Sequence, residues 1–392
     1  MEEISFGWFL PTAGDGRYVG VVPEREPTLA YLIEVARAAE DSGFEFVLIP
    51  TGGACLDSWV VGSAVLSHTD RLQALVAVRP GLIAPVLAAR MASSLDQLSG
   101  GRVLLNIVTG SSAEDLQQLG DPLAHAHDER YVRAGEYMRV LNLAWEGSIG
   151  TALSEFGGNS GWRPGEGEGA QSFAGKYYSF QGPVNLPPLV RSRPLPLFLG
   201  GSSPPARRAA AEYADTYLMW GEPHEWIAVQ IAEMDAALGE HAEAAGIARR
   251  PRYGLRVQVL VRGSEEEAWA DARGLLSRAP EETVRQAQRT FAGTDADGQS
   301  RQNRLREQSA AADYIAGPNL WSGLSQVRSG GALLIFGTAE QVTDVLIRYA
   351  ELGVRTFILS GYPHLEEAEN FGRRVLPLFR ERWQEFITKE ES

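Results

Sequence analysis

The chain has 392 residues, 44% of them hydrophobic and 22% charged, and a formal net charge of −14 at pH 7. This composition is ordinary for a globular protein, and the acidic excess argues against nucleic acid as a partner because phosphate binding needs a basic face. A single cysteine excludes an intramolecular disulfide. Since the N-terminus lacks a secretory pattern and no apolar stretch has membrane-spanning length, we expect a cytoplasmic protein without a membrane partner.

Short apolar runs predict eight β-strands, with longer helical patterns between them. The runs cover residues 4–10, 44–50, 72–79, 102–109, 195–201, 215–221, 253–261 and 356–362. They are apolar throughout rather than alternating, which is typical of parallel strands buried on both faces. The pattern predicts an α/β fold, a closed (β/α)8 TIM barrel forming a single domain over residues 1–392. A doubly wound open sheet is the alternative, but no GxGxxG motif supports it.

Two segments interrupt the alternation of strands and helices. Residues 147–180 are rich in glycine, serine and charge, and they predict a surface insertion. A second insertion region, residues 263–353, begins with helical patterns and continues through a long polar stretch. Within it, residues 293–320 are interpreted either as a mobile lid over the active site or as a solvated excursion.

In a barrel of this kind, the active site lies at the C-terminal ends of the strands and in the loops that follow them. This rule selects residues 11–16, 51–59, 106–110, 200–203, 220–223, 256–258 and 362–364, together with Arg79. The selected residues contain no carboxylate pair suited to glycoside hydrolysis and no spaced set of metal ligands. We therefore predict no metal site.

A turn rich in glycine and serine follows the fifth predicted strand. Gly200 and Gly201 would let the backbone approach a ligand, and Ser202 and Ser203 precede Pro204 and a helix. Hydroxyls at a helix N-terminus are a natural phosphate site. The same pattern also fits a serine N-cap with proline in the first helical turn, which needs no ligand.

Two further segments carry polar side chains toward the same region. Asn106 lies at the end of the fourth predicted strand, and the helix predicted over residues 129–141 carries Arg130 and Tyr131. The side chains of Arg130 and Tyr131 could reach a phosphate. A solvated helix charge is the alternative for Arg130, and spacing alone favours that alternative.

Several motifs together resemble the bacterial-luciferase-like flavin monooxygenases and, within them, the FMNH2-dependent alkanesulfonate monooxygenase group. They are "FLPTAGDGRYVG", "LIPTGGACLDSW", "LGGSS", "WGEP", "PNLW" and "LSGYPHLEEA". The resemblance runs from about residue 4 to residue 380, and only the 147–180 insertion is foreign to it. It implies a two-component enzyme in which a separate NAD(P)H-dependent FMN reductase supplies FMNH2. With O2, this enzyme would desulfonate an organosulfonate to sulfite and an aldehyde. A homodimer or homotetramer is also implied.

The resemblance carries the group's functional positions onto this chain motif by motif. The flavin-side positions are Thr51, Cys55, Asn106, Asp115, Arg130, Tyr131 and Ser203, joined by Ser202 from the glycine–serine turn. The catalytic positions are Trp220, Arg256, Arg328 and Tyr362. Arg256 and Arg328 would bind the sulfonate, because a guanidinium group pairs well with a three-oxygen anion. Cys55 has no His or Lys nearby in sequence to activate it, so we interpret it as a cofactor-pocket residue rather than a nucleophile.

The sequence departs from the group at Ala13 and at Gln258, where the group usually has histidine. The departures are either tolerated drift or an altered substrate pocket that admits a bulkier sulfonate, for example a sugar sulfonate such as sulfoquinovose. Two other functions stay open. One is a monooxygenase of the same superfamily that acts on a sulfone, an amine or a heterocycle. The other is a flavin-binding protein without turnover, which would not need Arg256 and Arg328.

Overall fold

The computed structural model describes residues 3–146, 172–181, 184 and 186–390. Its strands are β1 (Ser5–Phe9), β2 (Phe46–Ile49), β3 (Gln73–Val78), β4 (Val103–Ile107), β5 (Phe173–Ala174), β6 (Ser179–Phe180), β7 (Leu197–Gly200), β8 (Thr216–Trp220), β9 (Arg252–Val261), β10 (Ile315–Gly317), β11 (Leu320–Trp321), β12 (Leu334–Gly337) and β13 (Val354–Ser360). Its α-helices are α1 (Leu29–Asp41), α2 (Ser58–Leu66), α3 (Pro85–Ser99), α4 (Ala113–Gln118), α5 (His127–Glu146), α6 (Pro204–Tyr213), α7 (His224–Ala245), α8 (Glu265–Gly274), α9 (Glu281–Ala292), α10 (Asp297–Ser309), α11 (Ala339–Glu351), α12 (His364–Arg374) and α13 (Leu376–Glu390).

Eight parallel strands of the described residues close into a barrel in the order β1-β2-β3-β4-β7-β8-β9-β13, and β13 pairs again with β1. The predicted (β/α)8 barrel is confirmed, and each predicted run contributes one of these strands. Side chains such as Phe46, Leu75 and Ile358 pack against one another inside the barrel. Their chain neighbours, including Val47 and Val76, pack in the larger core that the helices share. Because both faces are buried, the strands are apolar throughout.

Helix α1 shows how local sequence sets the element boundaries. The Thr28 side chain accepts a hydrogen bond from the backbone N–H of Tyr31 at 3.3 Å and caps the N-terminus. Gly43 follows the helix with φ +89°, a conformation that glycine adopts without steric cost. Helix α1 therefore ends at its C-cap residue Ser42, and Gly43 turns the chain toward β2.

Strand β9 pairs with three neighbours and organises the mouth of the barrel. Residues 252–256 pair with β8, whereas residues 258–261 pair with β12, a strand that the apolar runs did not predict. Along its other edge β9 pairs with β13. Strands β11 and β10 extend β12 in antiparallel fashion. The insertion region therefore adds its own strands to the sheet directly above Arg256.

The two predicted insertions are described to different extents. Most of the first, residues 147–171, lies outside the described residues, and its described end forms the β5–β6 hairpin. The polar stretch of the second is not a structureless loop, because it contains α10. The mobility of residues 293–320 stays a prediction. None of the described helices is both long and apolar enough to cross a membrane.

Candidate active site

A cavity of about 210 Å³ lies at the C-terminal ends of the barrel strands. Its walls are the loops after β4 and β7 and the C-terminal end of β8, and residues 296–298 at the start of α10 cover part of it. Inward-facing side chains of the barrel, including Leu48 and Leu218, provide an apolar base. The predicted site residues in its lining are Asn106, Tyr131, Ser202, Trp220 and Arg256.

The turn after β7 forms a close-packed cradle at one side of this cavity. Gly201 has φ +143°, and a Cβ at this position would lie 2.2 Å from the Tyr131 hydroxyl and 2.7 Å from the Ala206 Cβ. Tyr131 itself donates a hydrogen bond to the Gly200 carbonyl at 3.3 Å. Only glycine fits between the Tyr131 ring and α6, so the backbone of this turn comes close to any ligand in the cavity.

The two serines of the turn have different roles. Ser203 is buried and caps α6, since its hydroxyl accepts the Ala206 N–H at 3.4 Å and Pro204 occupies the first turn. The side chain of Ser203 is therefore a helix N-cap, the alternative that needs no ligand. Ser202 instead lines the cavity. Glycine backbone, a helix N-terminus and the Ser202 hydroxyl together suit a phosphate group.

The loop after β2 is tied to helix α4 through Asp115. Asp115 accepts the Gly53 N–H at 3.1 Å and pairs with the Arg79 guanidinium at 2.6 Å. Cys55 is half-buried and free, and with Thr51 it lies on this loop beside the cavity rather than in its lining. Asp115 consequently acts on the loop that carries Thr51 and Cys55. Arg79 was selected from sequence only because it lies at the end of a predicted strand. In the structure its role is to pair with Asp115.

Arg130 is fully buried and does not line the cavity, so the solvated-charge alternative is wrong. Its guanidinium donates to the Ala124 carbonyl at 2.6 Å and to both carboxylate oxygens of Asp295 at 3.0 Å. Asp295 directly precedes residues 296–298, which cover the cavity. Arg130 therefore fastens the covering segment to α5.

Two arginines and two aromatic rings form a cluster that meets the cavity at Arg256, the one member of the cluster in its lining. The Arg256 Cζ lies 4.7 Å from the Phe9 ring centroid, and the Arg328 Cζ lies 5.8 Å from Phe9 and 5.9 Å from the Tyr362 ring. The structure thus brings three of the predicted catalytic residues together. Phe9, which lies between them, carried no polar signal in the sequence. The Arg328 Nε and the Tyr362 hydroxyl are buried without a hydrogen-bond partner among the described residues.

The electrostatics of Arg256 are unusual for a buried cation. Its side chain is 7% exposed, and no carboxylate in the described part of the chain pairs with it. Burial, and secondarily the charge of Arg328, lower the pKa of Arg256 to about 9, so the guanidinium is still cationic at neutral pH. Its guanidinium donates to the Val257 carbonyl at 2.9 Å and to the Ser360 hydroxyl at 2.8 Å, but neither acceptor neutralises the charge, and a buried charge without a counterion is costly. This arrangement suits an anion that accepts hydrogen bonds from a guanidinium group.

The two predicted substrate-pocket positions lie apart. Ala13 is exposed in the loop after β1. Gln258 is fully buried, donates to the Gly331 carbonyl at 2.8 Å and accepts from the Ser360 hydroxyl. Because both ends of the Gln258 amide are engaged inside the protein, this side chain does not line the cavity. Gln258 is a buried structural amide here rather than a wall of the substrate pocket.

An oriented imidazole beside Tyr362 was not assigned from sequence. The Nδ1 of His364 lies 2.7 Å from the Asp15 carboxylate, and the His364 ring centroid is 5.2 Å from that of Tyr362. Burial alone would raise the pKa of Asp15, but its contacts with His364 lower it overall. The Nε2 is buried without a partner among the residues described. The signal was present, since His364 stands two positions after Tyr362 and Asp15 lies in the "TAGDG" motif.

These features define a (β/α)8 barrel whose cavity, at the C-terminal ends of the strands, is lined by a glycine–serine turn and by the buried Arg256. Among the described residues, no group of three or more His, Cys, Asp or Glu side chains is arranged to hold a metal ion. The chain belongs to the luciferase-like monooxygenase family, whose model matches residues 4–356. Membership supports a flavin-dependent monooxygenase as the class of enzyme, with a flavin as cofactor and O2 as oxidant.

Solved structures with similar folds include those of three enzymes. Riboflavin lyase with modified FMN and riboflavin has a TM-score of 0.79 and 23% identity, covering 97% of this chain and 92% of its own. Long-chain alkane monooxygenase has a TM-score of 0.73 and 21% identity, covering 97% and 92%. The EDTA monooxygenase of Chelativorans sp. BNC1 has a TM-score of 0.71 and 21% identity, covering 97% and 94%. At these identities the likeness shows a shared fold.

Replacing Gly201 by alanine is expected to weaken FMN binding by more than about tenfold, because the new Cβ would displace Tyr131 from the cradle. Fluorescence titration of FMN against each variant measures this effect. Gly200→Ala is the matched control, since its Cβ would meet the nearest atom, the Leu218 carbonyl oxygen, at 3.4 Å. Equal FMN affinity in the two variants would contradict a phosphate cradle at Gly201.

Proposed function

We propose that the protein is a two-component FMNH2-dependent monooxygenase that desulfonates an organosulfonate. The overall reaction converts an alkanesulfonate, FMNH2 and O2 into an aldehyde, sulfite, FMN, water and a proton. A separate NAD(P)H-dependent FMN reductase would supply the reduced cofactor. One observation carries this proposal, the buried Arg256 that has no carboxylate partner among the described residues and lies beside Arg328.

The arginine pair favours an anionic substrate over a sulfone, an amine or a heterocycle. Burying a guanidinium group away from water costs on the order of several kcal/mol. A neutral substrate would not offset that cost. A sulfonate brings a charge and three acceptor oxygens to Arg256, and to the Arg328 Nε that lacks a partner in the described part of the chain. A flavin-storage protein would have no need for this unpaired cation.

The remaining parts of the site support binding of FMN and exclusion of water. Gly201, Ser202 and Tyr131 would hold the phosphate, since they form the cradle at the N-terminus of α6. When bound, reduced FMN supplies the electrons that activate O2. Residues 296–298 cover the cavity and would shield the reacting atoms from water.

Tyr362 and His364 are the side chains suited to proton handling. The Tyr362 hydroxyl is buried without a partner among the described residues and is available as a hydrogen-bond donor to a reacting oxygen. Asp15 holds Nδ1 of His364, and this fixes the ring orientation while Nε2 remains free. The Asp15–His364 pair is thus an oriented acid–base group next to the tyrosine.

The size of the sulfonate rests on sequence alone. Ala13 and Gln258 together suggest a bulkier substrate such as a sugar sulfonate. Ala13 is exposed in the first loop and Gln258 is buried, and neither residue lines the cavity. The bulky substrate is therefore a proposal for the turnover experiment to test.

Sulfite release tests the proposed reaction. The purified protein, with FMN, an FMN reductase, NADH and O2, is expected to release sulfite from alkanesulfonates of graded length or from sulfoquinovose. Turnover of short alkyl sulfonates at least equal to that of sulfoquinovose would eliminate the bulky-substrate proposal. Anaerobic reactions and reactions without reductase serve as controls. If no sulfonate yields sulfite although reduced FMN binds, the desulfonation proposal fails.

A further inference from the structure

Gln258 connects the Arg256 side chain to the loop that carries Arg328. The Nη2 of Arg256 donates to the Ser360 hydroxyl at 2.8 Å, and Ser360 in turn donates to the Gln258 side-chain oxygen. The Gln258 Nε2 donates to the Gly331 carbonyl at 2.8 Å. Gln258 and Ser360 are both fully buried, and they are register partners in the β9–β13 pairing. The chain of hydrogen bonds runs from Arg256 to Gly331 without a gap.

The direction of every bond in this chain is set by chemistry. A carbonyl can only accept, so Gln258 must turn its NH2 group toward Gly331 and its oxygen toward Ser360. The oxygen can only accept as well, so the single Ser360 hydrogen points at Gln258. Ser360 is then left with a lone pair for Arg256, which can only donate. An amide is suited to this place because one end donates and the other accepts.

The same amide anchors the loop before β12. Gly331 packs against the Arg256 backbone so closely that a Cβ would lie 2.8 Å from the Arg256 carbonyl oxygen. Arg328 stands three residues earlier on this loop, and its guanidinium reaches the Phe9 ring that Arg256 also contacts. The contact between Gln258 and Gly331 therefore fixes the loop that positions the second arginine.

We propose that Gln258 is a positioning residue that orients the Arg256 guanidinium through Ser360 and holds the Arg328 loop through Gly331. This inference rests on the proposed function in that the anion it serves is the sulfonate. Gln258 touches neither substrate nor cofactor and acts through the two arginines. Because an amide does not titrate, Gln258 itself adds no pH dependence to the orientation of Arg256.

Other side chains would fail at this position in distinguishable ways. Glutamate cannot donate to Gly331, and its charge would compete with the sulfonate for the arginines. Histidine can donate at one nitrogen and accept at the other only while neutral, so protonation would remove the acceptor that Ser360 needs. Position 258 is linked through Ser360 to Arg256 on β9, and the ionisable groups that act on Arg256 are Arg328 on the loop before β12 and Tyr362 after β13. The two cations oppose protonation, so the transition of a histidine here falls below its ordinary pKa of about 6.5.

The experiment compares Gln258→Leu, Gln258→Glu and Gln258→His with the intact enzyme. Binding of 1-octanesulfonate is measured by calorimetry over a range of pH, and KM and kcat are obtained from sulfite release. We expect the leucine variant to raise KM about tenfold with little change in kcat, and the glutamate variant to raise it further. The histidine variant should match the intact enzyme above about pH 7 and lose affinity below about pH 6. Ser360→Ala should reproduce the KM effect of the leucine variant.

Gln97→Leu is the matched control, because Gln97 also donates to a carbonyl, that of Pro188 at 2.6 Å, but lies on α3 away from the site. The inference is wrong if Gln258→Leu and Gln97→Leu bind the sulfonate equally well, or if the histidine variant shows no pH transition that the intact enzyme lacks. Failure of the intact enzyme to bind any sulfonate would instead refute the proposed function. The two failures are thus distinguishable.

Discussion

Replacing Arg256 by alanine is expected to lower the rate of desulfonation by at least about a hundredfold. The guanidinium group is buried beside Arg328 and offers charge-assisted hydrogen bonds, each contributing about 1.5–3 kcal/mol. Losing two of them lowers kcat/KM by roughly 10²- to 10⁴-fold. Initial rates of sulfite release, with FMN, reductase and NADH in excess, measure the effect.

A lysine variant separates the effect of charge from that of geometry. Arg256→Lys keeps the positive charge but loses the planar fork that reaches Ser360, so its kcat/KM should lie between those of the intact enzyme and the alanine variant.

Cys55→Ser should keep measurable turnover, because the thiol is half-buried on the loop after β2 and is not required as a nucleophile. Complete loss of turnover in Cys55→Ser, with FMNH2 binding intact, would overturn that view of Cys55.

The stability of the Arg256 variants gives an independent check. A desolvated cation without a carboxylate destabilises the fold, so Arg256→Met should unfold at a temperature equal to or above that of the intact enzyme. Differential scanning calorimetry measures the midpoint. A sharp fall would mean that Arg256 supports the fold rather than the ligand, and the loss of turnover would then say nothing about sulfonate binding.

The barrel could be predicted from sequence because its strands are buried on both faces. Runs such as residues 44–50 and 72–79 need no partner information to be recognised, since a continuous apolar stretch of this length between helical patterns is typical of a buried parallel strand. Strand β12 has the same apolar character, but it lies in an insertion, where it pairs with part of β9 and with the short strand β11. Nothing local shows that such a run joins the barrel sheet.

Helix α10 was not predicted from the sequence, for a different reason. Its buried positions are Gln299, Gln302, Leu305 and Ser309, which have helical spacing but are mostly polar. Sequence patterns detect helices by apolar periodicity, and here the buried face is held by hydrogen bonds. Gln302 donates to the Gly221 carbonyl at 3.0 Å, and Gln299 accepts the Gly330 N–H at 3.0 Å. Such contacts depend on which loops the fold brings near α10.

The site divides in the same way between predictable and unpredictable parts. Strand ends selected the neighbourhoods of Arg256 and Tyr362, and the structure brings the two together because the barrel places all of these ends on one face. The direction of each side chain could not be inferred. Gln258 is two residues from Arg256 and shares its face of β9 by alternation, yet its amide is consumed by Ser360 and Gly331. Arg130 likewise pairs with Asp295, which is 165 residues away in sequence.

Replacing Glu222 by alanine is expected to release α10 from the barrel mouth and to reduce turnover. Glu222 is 1% exposed and accepts bonds at 2.5–3.1 Å from Arg301 on α10. Removing one partner of a buried ion pair costs about 3 kcal/mol or more. We use the lower value because Arg301 is partly accessible to water. That corresponds to about a hundredfold shift toward the undocked helix. Amide hydrogen exchange across residues 297–309 measures the shift directly.

Release of α10 should affect both sides of the site. Residues 296–298 cover the cavity, and Gln299 holds Gly330 on the Arg328 loop, so turnover should fall together with protection from exchange. Glu222→Gln keeps an acceptor for Arg301 and should give a smaller effect. Arg285→Ala, which removes exposed pairs on α9 from a side chain that is 53% exposed, should change exchange by less than about fivefold. If Glu222→Ala leaves exchange in α10 at the level of Arg285→Ala, the polar contacts of Gln299 and Gln302 hold the helix alone, and the Glu222–Arg301 pair does not govern closure.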